Sequence, residues 1–192
     1  MADRRPSLTL IIGHPELGSP TRSASVRVAD LLLRALGGNA GEPELVDLAE
    51  LTPFLLSKYV GGRRSIDPGD AALAAASDTT LMLISSPVIH GACSGLLKLF
   101  FDLLPRDGLA GTIAVPLMTV PERGQLGLVD SCLRWMLLEL GATVPAPGIG
   151  VLERDADCPD EVFQAWWAGH AHTLTAALSV APAGQRDAVP SC

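Results

Sequence analysis

Apolar residues arrive along this chain in two rhythms. Short unbroken runs, LTLII at 8–12, LMLIS at 81–85 and TIAVPLM at 112–118, show no alternation of polar and apolar positions. A parallel strand is covered on both faces by crossover helices, so it is apolar throughout, and these runs read as buried strands. ELVDL at 44–48 and a weaker run at 148–152 fit second and fifth strands. Between them, apolar residues recur every three or four positions, the spacing of one helix face. Val26, Ala29, Leu32, Leu33 and Leu36 do so in 22–36, and Leu126, Val129, Leu133, Met136, Leu137 and Leu140 in 125–140. Val162, Phe163, Trp166, His170, Leu174 and Leu178 do so in 160–178. An alanine-rich segment, 69–77, and the apolar 94–104 complete the helices, with Gly37, Gly38, Gly141 and Pro105 as stops. Segment 49–68 is expected to be a partly irregular surface excursion, given Pro53, Gly61-Gly62 and Arg63-Arg64. Pro116 weakens the fourth strand, because proline offers no ladder donor.

Five strands alternating with five helices predict an α/β fold: a three-layer, doubly wound five-stranded parallel sheet, flavodoxin-like, in strand order 2-1-3-4-5. One domain over 1–180 is expected, with a disordered tail at 181–192. In such sheets a ligand lies beyond the carboxyl ends of the strands, where the winding reverses. The loops after strands one, three and four face that crevice.

The first of these loops, GHPELGSPTRSAS at 13–25, gathers the hydroxyls of Ser19, Thr21, Ser23 and Ser25 around Arg22 at a helix start. Free backbone N–H groups and the helix dipole suit an anionic phosphate there. Arg22 would add charge-assisted bonds of about 1.5–3 kcal/mol each. The same residues also make an ordinary helix cap. Neither a Walker pattern nor GxGxxG is present. In the second loop Gly91, Ala92, Ser94 and Gly95 leave the chain almost without side chains, so a flat ligand could lie directly on the backbone.

Composition narrows the function classes. A net charge of −7 and a pI of about 5.0 argue against nucleic acid or an anionic membrane as partner. Aromatic residues at 4% are too few for a base-stacking surface. Hydrophobic residues make up 48% and charged ones 18%, with mean hydropathy +0.33, an apolar-rich but not disordered chain. No apolar run approaches the roughly 20 residues of a membrane span. The polar start MADRRPS leads straight into a strand, so no signal peptide is expected. Cys93, Cys132, Cys158 and Cys192 have no ligand spacing and are expected to be reduced thiols in a cytoplasmic protein. His170 and His172 point to different sides of a helix, so no metal site is expected. No Ser-His-Asp arrangement with supporting context occurs.

GHPELGSPTRSAS, read together with SPVIHGACSGLLKLFFDLLP, resembles the NADPH-dependent FMN reductase family. Within it, the chain is most similar to the branch that supplies reduced flavin to sulfonate monooxygenases. The matching residues are Pro87, Val88, Ser94, Gly95, Leu97, Lys98, Asp102, Leu103, Leu104 and Pro105, and the likeness runs over 8–152. The resemblance implies FMN as cofactor, its phosphate held by Ser19, Arg22, Ser23 and Ser25. Pro87, Val88, Ile89, His90 and Gly91 would follow the isoalloxazine edge, and Ser94 would cap the next helix. His14 and Thr119 complete the expected cofactor-binding set.

The implied reaction passes hydride from NADPH or NADH to FMN, which is then retained or handed to a flavin-dependent monooxygenase. The hydride chemistry belongs to the cofactors, so no catalytic residue is assigned. Two alternatives share the scaffold: a quinone or azo-type reductase with fixed FMN, and a flavin-binding or flavin-free protein without turnover. A homodimer or homotetramer is implied, with the third and fourth helices as contact surfaces. The chain departs from the family in three places. Ile89 and His90 follow the Pro-Val pair where Tyr is usual, MTVPERG at 118–124 replaces a Thr/Ser-Gly-Gly turn, and His14 replaces a small hydroxyl residue. His90 reads either as a donor to the flavin or as a solvated loop residue. Cys93 reads as redox-active or as packing, and Arg63-Arg64 as a contact to the extra phosphate of NADPH or as solvated. Lys98 and Asp102 fit an i,i+4 pair. Trp166 and Trp167 fit packing of the last helix.

Overall fold

The structure, a computed structural model, describes residues 8–37, 43–61 and 67–181. Arg63-Arg64, Gly38 and the expected tail beyond 181 lie outside the described residues. A single sheet of five parallel strands runs in the order β2-β1-β3-β4-β5. The strands are β1 (Leu8–Ile12), β2 (Glu44–Asp47), β3 (Leu81–Pro87), β4 (Ile113–Val120) and β5 (Ile149–Leu152). β1, β3 and β4 are buried at every position, as their unbroken apolar sequences require. Leu10, Ile12, Leu83, Val115 and Leu117 point to one side, where α1 (Pro20–Ala35) and α6 (Asp160–Val180) cover them. Ile11, Met82, Ile84, Ala114 and Met118 point to the other, under α2 (Leu48–Gly61), α3 (Pro68–Asp78), α4 (Gly95–Leu103) and α5 (Trp135–Glu139).

Three expectations need correcting. The segment expected to be irregular contains α2, which runs through Pro53. Its start is capped by Asp47, whose Oδ1 accepts the Ala49 N–H at 3.1 Å, and Leu48 and Leu55 bury its inner face. Pro53 gives up its bond to the Ala49 carbonyl and crowds that oxygen, and burial outweighs the cost. The helix expected over 125–140 is a composite: a 3-10 turn at Arg123–Gln125, a π turn at Val129–Arg134, then α5. Val129, Leu133 and Leu137 remain buried at four-residue spacing. Asp130 accepts the Gly148 N–H at 3.0 Å and Arg134 donates to the Ala146 carbonyl at 2.9 Å, so the π turn is tied to the approach to β5.

Pro116 does not break β4. Ala114 N–H donates to Thr143 O on the β5 side, so two residues later the proline nitrogen faces that side too. β5 begins pairing only at Leu117↔Ile149, so no ladder bond is lost. Trp166 packs α6 down, with Nε1 donating to Pro147 O at 2.7 Å, and Trp167 stacks on Phe163.

Candidate functional site

The carboxyl ends of β1, β3 and β4 are joined by a set of buried hydroxyls. Gly13 ends β1 and donates its N–H to Ser85 O at 2.8 Å. A Cβ there would stand 2.8 Å from both Ser85 O and Leu97 Cβ, so only glycine permits this approach. Ser94 Oγ donates to Gly13 O and accepts the Leu97 N–H at 3.0 Å, while Ser94 N–H donates to Ser86 Oγ at 2.8 Å. Val88 N–H reaches Thr119 O at 2.9 Å. Thr119 Oγ1 lies 2.6 Å from Thr21 Oγ1, and Ser25 Oγ donates to Thr21 O at 2.6 Å. These hydroxyl residues are at most 1% exposed, and buried polar groups must find such partners. They form the floor on which the three loops rest.

Two of the expected site residues belong to this floor. Ser25 and Thr119 are 0% exposed with their hydroxyls engaged inside the protein. Ser94 caps α4 as its sequence position predicts. Ser19 is nearly buried and caps α1, accepting the Arg22 N–H at 3.3 Å, so α1 begins at Pro20 rather than at Arg22. Pro87 is buried as the last residue of β3.

The remaining predicted residues stand above the floor. Arg22 Nε donates to Asp47 Oδ2 at 3.2 Å, linking the first turn of α1 to the end of β2. The arginine side chain is 38% exposed and the aspartate 3%. Its two terminal nitrogens make no hydrogen bond among the described residues, so a guanidinium held on the first turn of α1 has donors to spare. Ser23 is half-buried on the same turn. His14 is half-buried, its Nδ1 accepting the Glu16 N–H at 2.9 Å.

The second loop is a two-residue hairpin. Ile89 N–H donates to Ala92 O at 2.9 Å and Ala92 N–H to Ile89 O at 3.1 Å. His90 and Gly91 take φ of 51° and 79°, the positive pair that defines a type I′ turn. Val88 is half-buried, whereas Ile89, His90 and Gly91 are exposed. Histidine in the left-handed region is uncommon and points to a constrained loop rather than a slack one.

Val120, placed in the third loop by the sequence, is a fully buried strand residue paired with Leu152. The loop itself starts at Pro121 and is exposed through Gly124. On the 3-10 turn that follows, Gln125 Oε1 is a buried side-chain acceptor without a partner among the described residues. Sequence reasoning missed Asp47 and Gln125. The only signal for the first was an acid at a strand end, and the second has none in the sequence. Lys98 and Asp102 form the expected i,i+4 ion pair on α4. Among the described residues no group of three or more His, Cys, Asp or Glu side chains could hold a metal.

These residues fit FMN in kind. A helix N-terminus with a positioned guanidinium suits a phosphate, an exposed hairpin with Gly91 at its tip suits a flat ring, and an unpartnered acceptor suits an imide N–H. Fold and crevice together define a flavodoxin-like α/β protein. The sequence profile of the NADPH-dependent FMN reductase family matches residues 7–157. The chain belongs to that family, and is therefore an NAD(P)H-dependent oxidoreductase working with FMN. Among solved structures it is similar to an apo NADH:FMN oxidoreductase, at 21% identity and TM-score 0.73 over 90% of each chain. It is also similar to an oxidoreductase from Corynebacterium diphtheriae, at 21% identity and TM-score 0.75 over 93% of this chain and 98% of that one. RosB, solved with a bound formylriboflavin phosphate intermediate, superposes with TM-score 0.65 at 16% identity over 97% and 90%. At these identities the likeness is one of fold. No protein with a curated function matches the sequence.

Proposed function

We propose that this protein binds FMN in the crevice described above and uses NADPH or NADH to reduce it, supplying reduced flavin to a partner monooxygenase of the sulfonate type. The observation that carries the reading is the Arg22–Asp47 pair on the first turn of α1, which holds a half-exposed guanidinium at the positive end of the helix dipole. Ser23 lies on the same turn and adds a hydroxyl. Main chain from Val88 to Gly91 lines the ring edge, with the His90 imidazole exposed beside it. Gln125 Oε1 accepts a ring N–H. When bound, FMN supplies the hydride-accepting chemistry. The chain's residues anchor, orient and exclude water, and no side chain is required as acid or base.

Two further parts of the reading concern the cell and the assembly. No helix among the described residues is long and apolar enough to cross a membrane, which is consistent with the cytoplasmic location proposed for a protein of reduced thiols. Phe54, Leu56, Tyr59 and Val60 on α2 and Trp135 and Leu138 on α5 are exposed apolar residues, which supports a homodimer or homotetramer. Light scattering that shows only monomer refutes the oligomer.

An absorbance titration of the purified protein with FMN tests the main reading. Arg22→Ala removes a charge-assisted bond of about 1.5–3 kcal/mol and is expected to weaken FMN binding about tenfold or more. An unchanged dissociation constant overturns the phosphate assignment. NADPH consumption that saturates with added FMN supports flavin as substrate. Turnover that needs a quinone and ignores added FMN transfers the assignment to a quinone-type reductase with fixed FMN.

A further inference from the structure

Two cysteines meet where the second loop enters α4. Cys93 directly follows the hairpin and precedes Ser94, whose amide and hydroxyl anchor it to Ser86 and Gly13. Cys132 lies in the π turn Val129–Arg134. The Cys93 N–H donates to Cys132 Sγ at 3.3 Å, and Cys93 Sγ lies 4.0 Å from Met136 Sδ. Three bonds separate that amide nitrogen from the sulfur of Cys93, which puts the two thiols within side-chain reach of each other. Both residues are half-buried free thiols, from elements 39 residues apart in sequence. Burial first, and then the Cys132 side chain beside it, push the Cys93 thiol up to about 12. At neutral pH Cys93 therefore keeps its proton and is poorly suited to strike an oxidant first.

We infer that Cys93 and Cys132 are a dithiol that a hydroperoxide closes into a disulfide, joining the second loop to the π turn. Cys132 as thiolate attacks one peroxide oxygen, the O–O bond breaks, and a sulfenic acid forms as hydroxide leaves. The Cys93 sulfur then attacks the sulfenic sulfur, the S–S bond forms and the S–O bond breaks, and its proton departs in water. In sum two thiols lose two electrons and two protons, and one hydrogen peroxide becomes two waters. The bridge fastens the residue next to the Ser94 anchor to a second element, so the loop that presents His90 becomes oxidant-responsive. None of this depends on flavin binding.

The test oxidises the full-length protein with hydrogen peroxide, blocks free thiols with N-ethylmaleimide, and digests it with trypsin without reductant. Peptides 65–98 and 124–134 each carry one cysteine. The expected product is their cross-link, two hydrogens lighter than the separate peptides and released by dithiothreitol. Cys93→Ser is expected to abolish it and leave Cys132 as a sulfenic acid that dimedone labels. Oxidised wild type should also unfold at a higher temperature than reduced protein, an effect absent from Cys93→Ser and from Cys132→Ser. Independent maleimide labelling of both cysteines after peroxide, or bridges that involve Cys158 instead, overturn the inference. If either serine variant fails to fold, the wild-type cross-link alone decides.

Discussion

The buried hydroxyl pair Thr21–Thr119 is the contact on which the crevice floor depends most directly, and its removal has a calculable cost. The two oxygens lie 2.6 Å apart, both residues are 0% exposed, and they come from elements 98 residues apart in sequence. Thr119→Val keeps the β-branched shape but leaves the Thr21 hydroxyl without its partner. A buried polar group so orphaned costs about 1–3 kcal/mol, and Thr21→Val should cost the same. At about 2–4 °C per kcal/mol for a chain of this size, each single variant should lose roughly 2–12 °C in Tm. The double variant replaces both partners by apolar groups of equal shape and should lie near wild type. Urea denaturation of all four proteins at constant m-value measures the coupling, expected at about 2–6 kcal/mol because the double variant escapes both single costs. Costs that add within about 0.5 kcal/mol refute the reasoning. FMN titration of the same proteins separates floor from ligand. A floor residue predicts that both singles weaken binding alike and that the double recovers it. A ligand role for Thr119 predicts that every protein lacking its hydroxyl stays weak.

Gly13→Ala places a methyl 2.8 Å from Ser85 O, an overpacking that should cost about 1–3 kcal/mol in urea denaturation; a stabilised variant contradicts the close approach. His90→Asn keeps the type I′ turn, since Asn-Gly is the preferred pair, so thermal unfolding should be unchanged. Any shift in the reduction potential of bound FMN in that variant then reports the imidazole. The Arg27 guanidinium, bonded to Asp160 between α1 and α6, holds the aspartate's carboxyl below its ordinary 3.8. A depressed folded-state pKa contributes stability that is present above 3.8 and lost as pH falls through the lower folded value. The acid limb of the urea midpoint against pH should therefore be shallower in Asp160→Asn, and identical limbs refute the linkage.

The sequence alone determined the strands, most helices, the strand order and the family. A strand covered on both faces has one viable pattern, helix periodicity has another, and short connections between them leave few topologies. The cap at Ser94 was legible too, because a cap is a local matter of a side-chain oxygen and the amides just after it. Tertiary structure alone decided what each hydroxyl in the loops does. Ser19, Ser23, Ser25 and Thr119 carry the same functional group, and nothing in the chain says whether it caps a helix, faces the crevice or is sealed below it. That depends on partners far away: Thr21 for Thr119, Gly13 for Ser94, Asp47 for Arg22. For the same reason Pro53 was legible as a breaker while the burial of Leu48 and Leu55 that overrides it was not. Local pattern records what a residue prefers, but only the packed neighbours fix which of its possible bonds is made.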